Sequence, residues 1–180
     1  MTGPFSLRVH DLTRQAGAGW DVALTIDAPE RLGPDVIGVD AGEPITLDLR
    51  LESVMDGIYV SGTATARVTG ECARCLDPVA EDFTSEIAEL FLYPEAVARA
   101  QEEGDEEAAE LPRTDGDILD LEEVVRDAVV ADLPYSPLCD PDCEGLCTEC
   151  GIRLADAEEG HRHEVIDPRL AVLRGLLDGE

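Results

Sequence analysis

Eight side chains able to hold a soft metal ion fall into four close pairs: Cys72 with Cys75, Cys139 with Cys143, Cys147 with Cys150, and His161 with His163. All six cysteines are used, and of the histidines only His10 stands apart. Thiolates and imidazoles are the usual ligands of zinc, and a gap of two or three residues lets one turn present two of them. Two pairs complete a tetrahedral site, so four pairs supply two sites with no ligand left over. Gly151 follows the pair Cys147 and Cys150, giving the tight backbone that such a knuckle needs. His161 and His163 come ten residues later, which groups Cys147, Cys150, His161 and His163 as one local site. Cys72, Cys75, Cys139 and Cys143 then form the other, tying two distant parts of the chain together.

Two other readings of the cysteines stand beside this one. Cys139, Cys143, Cys147 and Cys150 could share a single zinc, leaving Cys72 and Cys75 unliganded, so the count is one or two ions. Cys72 and Cys75 could instead form a redox dithiol. A thioredoxin-like dithiol sits at a helix start in a βαβ context, however, and this pair lies between two strand-like segments. Four-ligand sites leave no open position for water, which makes the expected zinc structural. No phosphate-binding loop, dinucleotide fingerprint or nucleophile elbow is present, and the expectation is a protein that is not an enzyme.

The elements that must position these ligands are legible in the hydrophobic pattern. Trp20, Val22, Leu24 and Ile26 alternate, as do Ile45, Leu47, Leu49 and Leu51. Ile58, Val60, Ala64, Ala66 and Val68 continue the alternation after the turn pair Asp56 and Gly57. A further strand is expected over 79–93, and Leu7 and Val9 start the sheet ahead of a turn at 17–19. Residues 27–44, rich in Pro, Gly and Asp, read as a loop with room for a short helix. These features predict an α+β chain: an N-terminal antiparallel β-sheet or half-open barrel over 1–95, an acidic linker over 96–116, and over 117–180 a helix, a zinc-stabilised Cys/His segment and a C-terminal helix. Glu102, Glu103, Asp105, Glu106, Glu107 and Glu110 crowd the linker, which is expected to be disordered. Asp120 and Glu123 have the form of a capping box, with Ile118, Leu121, Val125, Ala128 and Val129 on one helical face. Asp167 and Pro168 open the final helix, lined by Leu170, Leu173 and Leu177.

The chain of 180 residues carries a formal net charge of −28, with 13 basic residues against 41 acidic ones. Such a surface repels nucleic-acid phosphates and attracts basic proteins, although solubility alone can account for it. No signal peptide or membrane span is visible, which predicts a cytoplasmic protein.

Several motifs together resemble a known family. They are Cys72-Ala73-Arg74-Cys75-Leu76 with Pro78; Asp120-Leu121; Leu133-Pro134; Pro137-Leu138-Cys139; Glu144-Gly145-Leu146-Cys147 with Cys150-Gly151; and Asp167-Pro168-Arg169-Leu170-Ala171-Val172-Leu173. Their order and spacing resemble the YceD family of large ribosomal RNA subunit accumulation proteins, from about Leu47 onward. The resemblance implies a role in accumulating or processing large-subunit rRNA. It also implies a link to a small large-subunit ribosomal protein, beside which family members are often encoded. Family members need not carry the whole cysteine set, and some place a Cys-x-Cys where this chain has His161 and His163.

Two functions follow as expectations. One is a non-enzymatic ribosome biogenesis factor that contacts a basic large-subunit ribosomal protein or a pre-ribosomal particle. The other is a zinc-dependent RNA-binding protein acting directly on the rRNA precursor, with Arg74, Arg153, Arg162 and Arg169 forming a local basic face. No membrane partner is expected.

Overall fold

The computed structural model describes residues 3–12, 14–105, 108 and 110–163. The centre of the fold is a five-stranded antiparallel sheet. Its strands are β2 (Gly19–Asp27), β3 (Ile37–Gly38), β4 (Pro44–Ser53), β5 (Gly57–Glu71) and β6 (Pro78–Leu92). The long strand β5 pairs with β6 on one side; on the other it pairs first with β4 and then, beyond the end of β4, with β3. Strand β2 closes the far edge against β4.

Alternation decides which face is buried. Ile45, Leu47, Leu49 and Leu51 point inward, while Thr46, Asp48 and Arg50 face water. Register sets large against small: Leu47 lies opposite Ala64 and Leu49 opposite Gly62, which in turn lies opposite Ile87. Gly62 is required there, because a Cβ would stand 2.1 Å from the Asp48 carbonyl oxygen. Over the buried face lies helix α2 (Glu122–Asp132), following α1 (Pro94–Glu103) in the chain. Leu121, Val125 and Val129 recur every four residues on one side of α2 and join a single core with the sheet, Leu32, Ile37 and Val39. Burial of one face only is what gives the antiparallel sheet its clean alternation.

The α+β architecture matches the sequence reading, with differences at its edges. Leu7 and Val9 do not start the main sheet. β1 (Ser6–Arg8) pairs instead with β7 (Ile118–Asp120) as a separate two-stranded sheet, with Leu7 opposite Leu119. Leu119 and Phe5 are thereby buried, a long-range gain that local alternation cannot show. The 27–44 segment holds β3 and an isolated bridge between Leu32 and Val39, not a helix.

Residues expected to begin a disordered linker form α1. Pro94 occupies its first turn, Ala96, Val97 and Ala100 are buried, and Gly104 ends it in a left-handed conformation. Its acidic side chains face outward, so composition alone concealed an amphipathic pattern. The expected capping box is not what starts α2: Leu121 is its N-cap residue, without a side-chain cap, while Ile118 and Asp120 belong to β7 and the Asp120 carboxylate accepts the Glu122 N–H at 3.1 Å. The C-terminal helix expected from Asp167 lies outside the described residues.

Candidate metal centres

The first cysteine pair occupies the turn of the longest hairpin, between Glu71 of β5 and Pro78 of β6. Cys72 and Cys75 are both buried there. The segment leaving α2 folds back onto this turn, with the Ala73 N–H donating to the Pro137 carbonyl at 2.8 Å. Asp140 then makes a local turn, its carboxylate accepting the Asp142 N–H and its carbonyl the Cys143 N–H. Cys139 and Cys143 thus face Cys72 and Cys75, and all four sulfurs lie within 4.8 Å of one another. Cys72 Sγ stands 3.8 Å from Cys143 Sγ, and Cys75 Sγ 3.4 Å from Cys139 Sγ. A tetrahedral zinc–thiolate site with arms of about 2.3 Å has sulfur–sulfur edges of roughly 3.8 Å. The donor set fits a soft divalent ion in both chemistry and size.

The second cluster gathers Cys147, Cys150, His161 and His163, again within 4.8 Å. His161 Nε2 and His163 Nε2 lie 3.1 Å apart, with ring planes at 82°, and each is within 3.5 Å of Cys150 Sγ. Two imidazole nitrogens converging on one sulfur from perpendicular planes is the geometry of shared ligation. This cluster is more open: Cys150 and His163 are exposed, whereas Cys72 and Cys75 are not. The structure therefore brings together the eight residues in the two groups expected, and it separates Cys139 and Cys143 from Cys147 and Cys150.

The two knuckles are built alike. In the first, the Cys72 N–H donates to the Asp77 carbonyl and the Leu76 N–H to the Cys72 carbonyl. In the second, the Cys147 N–H donates to the Ile152 carbonyl and the Gly151 N–H to the Cys147 carbonyl. Both therefore need a left-handed residue after the second cysteine. Gly151 has φ 72°, and Leu76 has φ 64°, the one described non-glycine residue with positive φ. Leucine at that position carries a steric cost that glycine does not.

Backbone amides also tune the leading sulfurs. N–H groups of Cys139, Cys75 and Arg74 bring the Cys72 thiol down to about 6. Those of Cys150 and Glu149, together with the His161 ring, bring Cys147 down to about 6. Burial, with the neighbouring cysteine sulfurs, pushes Cys75 up to about 12. Each knuckle holds one preformed thiolate, and a metal would displace the remaining protons.

Contacts that no ligand pattern revealed lock the two centres together. The Leu146 N–H donates to the Arg74 carbonyl at 3.2 Å, and the Arg74 guanidinium to the Cys143 carbonyl at 2.7 Å. Arg153, just after the second knuckle, pairs with Asp77, just after the first. Gly145 has φ 83°, and a Cβ there would lie 3.1 Å from the Arg74 carbonyl oxygen. Of these residues, Arg74 and Arg153 stand out in the sequence only as candidates for a basic face, and Asp77 does not stand out at all.

Comparison with known proteins agrees with the motif pattern. The model of the family described as large ribosomal RNA subunit accumulation protein YceD matches residues 60–177. The chain belongs to the YceD family. The match begins in β5 and includes every residue of both clusters. An uncharacterized protein of Mycobacterium tuberculosis is 43% identical over 180 residues, covering 100% of this chain and 84% of its own. Its counterpart in Mycobacterium bovis shows the same figures. An uncharacterized protein of Mycobacterium leprae is 38% identical over 177 residues, covering 98% of this chain and 79% of its own. No solved structure matches the chain. Among the described residues no helix is long and apolar enough to cross a membrane.

Proposed function

We propose that this YceD-family chain is a non-enzymatic, cytoplasmic assembly factor of the large ribosomal subunit. It supports rRNA accumulation through contact with a basic ribosomal protein or a particle containing one, and both clusters hold structural zinc. The family gives the coarse role, large-subunit rRNA accumulation. The mode of action is argued from where the positive charge goes. Seven described arginines, at positions 14, 31, 50, 67, 99, 126 and 153, are each ion-paired to a carboxylate of the same chain. Of the four arginines expected to form a basic face, Arg153 is among these seven, Arg74 donates to the Cys143 carbonyl, Arg162 has no ion pair among the described residues, and Arg169 lies outside them. Phosphate binding needs unneutralised cations on one surface. The remaining excess is acidic and favours a basic protein partner.

The test is a binding comparison with metal-replete full-length chain, using purified basic large-subunit ribosomal proteins and naked 23S-type rRNA as separate ligands. Binding to at least one such protein, with weak binding to rRNA, is expected. Tight binding to naked rRNA with no affinity for basic ribosomal proteins would move the chain into the RNA-binding class.

A further inference from the structure

A trough runs between β6, α2 and the segment 110–112. Two cavities of 540 and 680 Å³ share Glu110, Leu111, Pro112, Glu123 and Asp127, and so form one continuous depression along α2. The floor is apolar. Ile87 is buried at its base, and Leu111, Val124 and Ala128 are half-buried along it. The rim carries carboxylates from three separate segments: Glu86 and Glu89 from β6, Glu110 from the 110–112 segment, and Glu123 and Asp127 from α2. Among the described residues none of these five has a cationic partner, in contrast to the arginine-paired carboxylates elsewhere. Two arginines line the trough further along, beside Asp120 and Glu122: Arg126 is held by Glu30 and Glu122, and Arg113 has no ion pair among the described residues, which leaves the lining acidic on balance.

We propose that this trough is the docking site for a lysine- or arginine-rich amphipathic segment of a partner protein. Apolar side chains of the segment would cover Leu111, Val124 and Ala128, and its cations would meet the five rim carboxylates. An apolar floor without the rim would accept any hydrophobic segment. A rim without the floor would attract any polycation. Together they select for both properties. A second copy of this chain is disfavoured, because it would bring another acidic surface against the rim. The proposal rests on the reading that the partner is basic, and it locates that contact away from both metal centres.

The experiment titrates the full-length, zinc-loaded protein with three labelled synthetic peptides. One is amphipathic, with lysines opposite leucines; one has the same lysines with serines in place of leucines; one has the leucine pattern with glutamates in place of lysines. Fluorescence anisotropy reads the affinity. The amphipathic basic peptide is expected to bind most tightly. Glu86→Gln, Glu123→Gln and Asp127→Asn together should weaken it about tenfold, and Asp27→Asn, Asp35→Asn and Asp48→Asn, removing the same charge from exposed positions elsewhere, by about twofold or less. Zinc content and circular dichroism verify that the variants are folded.

Equal weakening by both triple variants, or equal affinity for the leucine and serine peptides, would overturn the proposal. Tighter peptide binding in Leu173→Asp would assign the trough to the chain's own residues 164–180 and also overturn it. The same variants are then tested against the basic ribosomal proteins. Undiminished binding there by the trough variant would reject the trough but keep the assembly-factor reading, whereas no binding by the unmodified chain would reject that reading itself.

Discussion

Leu76 shows at the scale of one residue how the knuckle constrains its sequence. It occupies the left-handed position that Gly151 fills in the second knuckle, and it is 61% exposed, so few packing contacts offset the strain. Leu76→Gly is therefore expected to be neutral or to stabilise the metal-loaded protein by up to about 1 kcal/mol, since relief of the left-handed strain competes with the entropy of glycine. Gly151→Leu, at a position with nothing within 4 Å of a Cβ, should cost about 1–2 kcal/mol, from backbone strain alone. Urea midpoints of the two variants check the pair. Equal losses in both would mean that Leu76 makes a compensating contact.

The leading sulfurs give a second residue-scale prediction. Cys72 and Cys147 are lowered to about 6 by amides of the folded segment, so metal-free protein that keeps this fold holds both as thiolates at neutral pH, and they protonate as pH falls through 6. Their folded values lie below the unfolded value of 9.0. Their contribution to stability is thus complete above about 9 and is lost as pH falls through about 6. Cys75, raised to about 12, has the opposite sign: its contribution is complete below about 9 and fades as pH rises toward 12. Thiolate absorbance near 240 nm in the metal-free protein should show two groups titrating near pH 6. One should disappear in Cys72→Ser and the other in Cys147→Ser.

At the scale of elements, the chain divides by what holds each part. The sheet and α2 share a contiguous apolar core. Among the described residues from Cys139 to His163 no aliphatic or aromatic side chain is buried, and Leu146 is only half-buried against Cys72, Cys75 and Val79, so this segment depends mainly on its ligands and their hydrogen bonds. Elemental analysis should give two zinc ions per chain; one ion, or none, would remove the two-centre reading. Chelation should raise amide hydrogen exchange over 139–163 while the amides of β4 and β5 stay protected. Earlier opening of the sheet would contradict this. In α2, Val129→Ala should cost about 1.5–2.5 kcal/mol from lost burial, and Val130→Ala, at a position 39% exposed, less than about 0.5 kcal/mol. Thermal or urea denaturation separates these outcomes.

For the whole molecule, charge dominates encounter with a partner. A net charge of −28 produces a long-range field, and salt screens it over about 10 Å at 0.1 M and 3 Å at 1 M. Association with a basic ribosomal protein should therefore slow by an order of magnitude or more between low and high salt, while dissociation changes less. Stopped-flow measurements at several ionic strengths test this. A salt-independent association rate would show that apolar contact alone governs capture.

Strand alternation over Ile45–Leu51 and Ile58–Val68, the expected strand matching β6, and the close pairing of ligands were legible along the chain, because each is a local pattern. A strand repeats every two residues, and a knuckle needs only a few consecutive positions. The motif order was legible too, and it carried the family. Other features were decided by contacts between segments far apart in sequence. β1 found β7 across more than a hundred residues, because pairing there buries Leu119. α1 emerged from an acidic stretch because its few small apolar residues share one face that meets Leu92. Cys72 and Cys75 met Cys139 and Cys143, and not the nearer-spaced alternative, because the chain leaving α2 returns to the β5–β6 turn and bonds Pro137 to Ala73. The trough likewise draws its walls from three separate segments. Only the folded chain sets such distances, because proximity in space is governed by the packing of elements and not by their order.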